Sequence, residues 1–186
     1  MQNTFQEAET TMEYENPNAD MYIGICWCVA DMGMQETTWQ GVTKMKRKIK
    51  IGIELHGDGS LMSDERHFSV FSTQTLSLNP KANLPGMLEG WTGQPIPVDG
   101  GNRTFDFYSL IGKPCMVQVI HTPKEGGGVW VNCGAVTPVY KGMEIPEMTN
   151  ESVFFMLAGH TEDDFLKLPE WMQGKVNRDG FMPKPF

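Results

Sequence analysis

Residues 43–55 read TKMKRKIKIGIEL and place Lys44, Lys46, Arg47, Lys48 and Lys50 within seven positions of a chain whose formal net charge is -8. Positive charge fixed at this density holds an anion, and a row of it holds a polyanion. The four lysines alternate with Met45, Ile49, Ile51 and Ile53, and Arg47 is the exception. Alternation with β-branched residues predicts a strand with the lysines on one face, whereas a helix would need apolar residues at i, i+3, i+4 and i+7. Same-face residues of a strand stand about 6.7 Å apart, so four lysines cover about 20 Å in a line. Extended single-stranded nucleic acid spaces its phosphates comparably, and its binders add aromatic rings for the bases. Trp39 precedes the lysine strand, Phe68 and Phe71 lie on the strand after it, and Trp130 with Lys124 flank a later turn. The competing explanation is that the lysines guard a strand edge against aggregation. Against it, no acid lies between Gly41 and Ile53, and the fold expected below gives this strand no free edge.

The remaining charge is laid out differently. Residues 1–36 carry seven acids and no Lys or Arg, and residues 54–186 carry sixteen acids against ten bases. This excludes the blanket basic coat of a duplex-wrapping protein and leaves a local basic stripe on an acidic body. Other chemistry is sparsely signalled. Cys26 and Cys28 lack a second ligand pair, while Cys115 and Cys133 stand apart, so all four read as reduced thiols rather than a metal site or disulfide framework. His56, His67, His121 and His160 fall at turn or strand ends without a nucleophile motif. Neither GxSxG nor GxxxxGK[ST] occurs, and Glu162, Asp163 and Asp164 read as a solvated helix start. The expectation is a protein that is not an enzyme and needs no cofactor or metal. No basic n-region opens the chain and its longest apolar run is short, which predicts a soluble, unexported protein.

The elements that must position the stripe follow from periodicity. Residues 1–20 are acidic and aperiodic, predicting a mobile arm. Met21–Ala30 alternates large and small apolar residues, as in a strand covered on both sides. Residues 31–43, with Trp39, read as a loop. Strands are expected at 43–55, 67–78, 115–121 and 129–136, and a helix at 83–91, where Leu84, Leu88 and Trp91 share a stripe and Asn83 caps. Trp27 and Trp91 belong to the core. An amphipathic helix interrupted by Pro169 is expected in 165–176. Three strands, a helix and two strands predict an all-β fold with minor helix: a five-stranded OB-fold Greek-key barrel over 21–140, with a C-terminal helical arm over 141–186. In that barrel the first inter-strand loop, with Trp39, and the fourth, with Lys124, flank the binding cleft.

Residues Leu76–Leu78, Asn83–Trp91, Gly112–Cys115 and Lys124–Val136 carry a resemblance to bacteriophage single-stranded DNA-binding-like proteins with OB-fold domains, and LPEWMQGKV is similar to the family's C-terminal piece. The resemblance covers about two thirds of the chain, most strongly 75–142. It implies non-sequence-specific binding of single-stranded DNA in phage replication or recombination, in the host cytoplasm. The terminal Pro185 and Phe186 are similar to the tip by which bacterial single-strand binders recruit replication and repair enzymes, although Lys184 replaces the expected acid. The other reading is a phage protein-binding module whose acidic surface targets a host enzyme, favoured by the acidic first 36 residues. The apolar SVFFMLA segment and the final helix would pack on their own barrel or on a second copy.

Overall fold

A computed structural model describes residues 15–179. Its elements are β1 (Met21–Trp39), β2 (Val42–His56), β3 (Ser69–Thr75), α1 (Asn83–Thr92), a small ribbon of β4 (Val98–Asp99) and β5 (Asn102–Arg103), a 3-10 turn (Phe107–Leu110), β6 (Pro114–Pro123), β7 (Val129–Thr137), β8 (Val153–Phe155), α2 (Glu162–Leu166) and α3 (Glu170–Gln173). The protein is mostly β with minor helix, as the periodicity predicts.

Segment 31–43 is not a loop. β1 runs on to Trp39, and Gln40 and Gly41, both at positive φ (48° and 77°), close a two-residue hairpin into β2. Positive φ at both central positions is the turn whose twist matches the strands it joins. β1 reaches that length through two register shifts, between Cys26 and Cys28 and between Asp31 and Gly33, whereas β2 is regular throughout. Bulges of this kind bend a strand sharply.

The main sheet runs β3-β2-β1-β6-β7, antiparallel throughout, and β8 pairs with β1 in parallel at Cys28–Ala30. The expected closure of the barrel is not formed by hydrogen bonds: β3 and β7 share no ladder among the described residues. Their Cα atoms nevertheless come within 8 Å, and α1 packs against both. The sheet is therefore curled, with the helix lying between its two edges.

β1 is covered on both sides, as its alternation predicts. On one face Val29 joins Ile49, Ile51, Ile53 and Leu55 of β2 and Leu84, Leu88 and Trp91 of α1, all essentially without solvent exposure. The Trp91 indole N–H donates to the Pro114 carbonyl at 3.0 Å, so this ring is satisfied inside the core. α1 begins at Asn83, but Ala82 occupies the cap position and no side chain caps the helix. On the other face Cys28, Ala30 and Met32 pack against Phe155, Leu157, Leu168 and Met172. Residues 153–176 thus supply the second core layer, through β8 and two short helices rather than one, because Pro169 ends the first helical stretch and caps α3. Residues 15–20 lie against the body, where the Glu15 carboxylate accepts from the Ser63 N–H at 2.8 Å and His121 Nε2 donates to the Pro17 carbonyl at 2.8 Å. The expected mobility of the acidic arm falls mainly on residues outside those described, as do Pro185 and Phe186.

Candidate nucleic-acid interface

Because β2 is regular, Lys44, Lys46, Lys48 and Lys50 project from one face of it. Residues directly opposite in an antiparallel ladder share a face. Trp39 stands opposite Val42, Thr37 opposite Lys44, and Gln35 opposite Lys46. On the other flank Thr75 stands opposite Lys48, Thr73 opposite Lys50 and Phe71 opposite Gly52. The lysine row therefore begins beside the 74% exposed Trp39 at the hairpin tip and ends at Phe71. Over that span the three strands contribute no carboxylate to the face, since Glu36 pairs with Met45 on the opposite one.

The row has two halves. Toward the tip, Lys46 and Lys48 meet Lys81, Thr73 and Thr75 around a polar groove of about 550 Å³, and the Lys48 ammonium donates to Thr75 Oγ1 at 3.0 Å. Toward the centre, Lys50 is half-buried and its Nζ lies 5.3 Å from the Trp171 ring centroid and 5.8 Å from that of Phe71. Lys175 Nζ approaches the same Trp171 ring at 5.4 Å. Trp171 meets Phe71 edge-on at 5.1 Å, and Phe71 meets Trp27 edge-on at 5.9 Å. The three rings line a second groove of about 620 Å³ that continues to His67 and Arg66. At 45% exposed, Trp171 offers a ring with two cations close to it.

Lys48 and Lys50 stand in surroundings that disfavour their charge. Burial holds Lys48 and Lys50 below the ordinary lysine value, and neighbouring Lys46 and Lys175 push in the same direction. An anion placed beside these two ammonium groups would offset that cost.

The other sequence-selected residues lie elsewhere. Arg47 is turned to the buried Asp31: its Nε donates to both carboxylate oxygens at 3.0 and 3.2 Å, and its Nη2 donates to Oδ2. Lys124 and Trp130 are brought together with each other, the ammonium 4.2 Å over the indole, on the β6–β7 hairpin. Phe68 is buried in the core. Sequence reasoning missed Trp171, Lys175 and Lys81. Trp171 and Lys175 stand four apart, but nothing local announces that they fold back across β2.

One further cluster borders the second groove. Glu54 and His56 follow the lysines on the same face of β2, and His67 comes just before β3. His56 Nε2 donates to Glu54 Oε1 at 2.8 Å, and the two imidazole rings lie 4.2 Å apart between centroids. The Glu54 carboxylate also accepts from the backbone N–H groups of Thr149 (2.8 Å) and Asn150 (2.6 Å). These residues could hold a metal ion: one ligand atom from each of Glu54, His56 and His67 lies within 4.8 Å of the others. The four cysteines are free thiols, with burial pushing those of Cys28 and Cys133 up to about 12. No described helix is long and apolar enough to cross a membrane. Comparison with protein-family models and with curated proteins found no match.

Proposed function

We propose that this protein binds single-stranded nucleic acid, DNA foremost, without strong sequence preference, along the face that carries Lys44, Lys46, Lys48 and Lys50. The observation that carries the reading is a row of lysines, free of strand carboxylates, that runs from Trp39 into the Trp27–Phe71–Trp171 cluster. Lys44, Lys46 and Lys48, with Lys81, take the phosphates, while Trp171 and Trp39 offer planes on which bases of any identity stack. Trp130 with Lys124 forms a second stacking point on the other hairpin. The strand order supports the same reading, because β3-β2-β1-β6-β7 is the neighbour order of an OB barrel unrolled between its third and fifth strands. Such a protein catalyses nothing, and service in phage replication or recombination in a host cytoplasm is the setting that the family resemblance suggests.

The test is anisotropy of a labelled thymidine oligonucleotide at low and moderate salt, with wild type, a Lys46→Glu/Lys48→Glu variant and Trp171→Ala. Binding that weakens steeply with salt, disappears in the charge reversal and falls about fivefold or more in Trp171→Ala supports the assignment, since stacking of one base contributes about 1–3 kcal/mol. Absence of binding by wild type at low salt refutes it and returns the lysines to edge protection. A competing RNA oligonucleotide of the same length separates DNA from RNA preference.

A further inference from the structure

Glu54, His56 and His67 combine a fully buried carboxylate, a buried imidazole and a half-buried imidazole on one face of the β2–β3 hairpin. Two imidazole nitrogens and one carboxylate oxygen are a donor set suited to zinc and its transition-metal neighbours, and unsuited to Mg²⁺ or Ca²⁺, which take oxygen ligands. The local order comes from strand geometry: Glu54 and His56 are two apart and so point the same way, and the Leu55 N–H, which donates to the Phe68 carbonyl at 2.8 Å, holds the segment that carries His67 alongside.

Two observations favour an ion over a simple polar cluster. First, all three donor atoms already lie within 4.8 Å of one another, and those of Glu54 and His56 are 2.8 Å apart. Neighbouring ligand atoms on a tetrahedral zinc stand about 3.3 Å apart, given bond lengths of about 2.0–2.2 Å, so coordination requires the proton between His56 Nε2 and Glu54 Oε1 to leave to solvent, those two atoms to open by about 0.5 Å and His67 to close by at most about 1.5 Å. Second, the supporting contacts that orient metal ligands are in place: the Thr149 and Asn150 N–H groups fix the carboxylate, and Ser60 Oγ sits 3.4 Å from His67 Nδ1. His67 lines the aromatic groove, which gives the site an opening to solvent.

We propose that Glu54, His56 and His67 form a binding site for a divalent transition-metal ion of the zinc type. The ion would cross-link the segment just before β3, the end of β2 and, through Glu54, the Thr149–Asn150 segment. This does not rest on nucleic-acid binding.

The experiment is calorimetric titration of the metal-stripped full chain with ZnCl₂, repeated with CoCl₂ for its visible absorption and with MgCl₂. Variants are His67→Ala, which alters only a half-buried side chain, and His121→Ala, whose ring bonds Pro17 instead. The expected result is one equivalent of Zn²⁺, a Co²⁺ spectrum of low coordination number, no response to Mg²⁺, at least tenfold weaker Zn²⁺ binding in His67→Ala and unchanged binding in His121→Ala. Absence of Zn²⁺ binding by wild type, or equal affinity in wild type and a His67→Ala variant of native circular dichroism, overturns the site. If His67→Ala does not fold, His67→Gln, which keeps a polar side chain there, gives the same comparison.

Discussion

Arg47 sits in the middle of the lysine row, yet its guanidinium belongs to the fold, and a double-mutant cycle with Asp31 tests that division. The Asp31 carboxylate has no solvent exposure. Besides Arg47 it accepts only the Gly33 N–H at 3.0 Å and the Leu157 N–H at 3.4 Å among its described hydrogen bonds. Arg47→Ala would leave a buried carboxylate with two neutral donors, one of them long. Breaking a buried pair from one side destabilises by about 3–5 kcal/mol, and because Arg47 is about one-third exposed the lower end, about 3 kcal/mol, applies. With a urea dependence of about 2 kcal/mol per molar, the unfolding midpoint should drop by about 1.5 M. Asp31→Ala should cost about 2–3 kcal/mol by stranding the Gly33 and Leu157 N–H groups. The double variant should lose less than the sum, leaving a coupling of about 2 kcal/mol. Oligonucleotide binding by folded Arg47→Ala should keep its wild-type salt dependence. A midpoint shift below about 0.3 M, strictly additive losses, or a shallower salt dependence would refute the division and restore Arg47 to the phosphate-binding set.

The lysine count fixes a second measurement. Lys44, Lys46, Lys48 and Lys81 give about four phosphate contacts, hence a slope of log affinity against log salt of about -2.8, and Lys46→Ala/Lys48→Ala should reduce it to about -1.4; an unchanged slope would place the polyanion elsewhere. Gly33 has φ 71°, and a Cβ there would meet the Asn177 carbonyl oxygen at 1.9 Å. Gly33→Ala should therefore break the Asn177 N–H bond to the Met32 carbonyl (3.0 Å), destabilise by about 2–4 kcal/mol and speed tryptic cleavage after Lys175; unaltered melting and cleavage would contradict the close approach. His56 and Glu54 are both held below their ordinary values of 6.5 and 4.5, so the stability each contributes is present above those values and lost as pH falls through the folded-state ones. The melting temperature of metal-free protein should fall steadily between pH 7 and pH 4, and a flat profile would refute the assigned directions.

What the sequence disclosed depended on whether a pattern was local. The lysine alternation of β2 and the Leu84–Leu88–Trp91 stripe of α1 were legible because period alone decides them. The second half of β1 was not: Gln35–Thr38 is polar and lies in the hairpin's protruding end, where neither face is buried enough to impose an apolar alternation. Its strand state comes from pairing with β2 and from the Gln40–Gly41 turn, whose Gln offers no composition signal. Arg47 looked like a fifth phosphate contact because its partner, Asp31, is sixteen residues away across a bulge. Trp171 reaches Lys50 only through tertiary folding, so spacing could not find it. The Glu54–His56 pair was within reach, since i and i+2 on a strand share a face, but the third member, His67, comes from the segment just before β3.

Strong net negative charge is compatible with holding a polyanion because the two act over different distances. At physiological ionic strength charges farther apart than about 8 Å are largely screened from each other. The row of lysines extends about 20 Å, so a strand lying on it is governed by the nearest cations and hardly by acids on the far side. The strand carboxylate nearest the hairpin tip, Glu36, faces away, and Asp31 is neutralised in place by Arg47. The acidic remainder then acts at long range: it slows approach of the polyanion at very low salt, where screening extends to about 30 Å at 0.01 M, without weakening contacts once they form. Association by this protein should therefore be less accelerated at low salt than in a uniformly basic binder, while dissociation carries most of the salt dependence. Stopped-flow measurement of both rates would separate the two effects, and a salt dependence confined to association would contradict a local binding row.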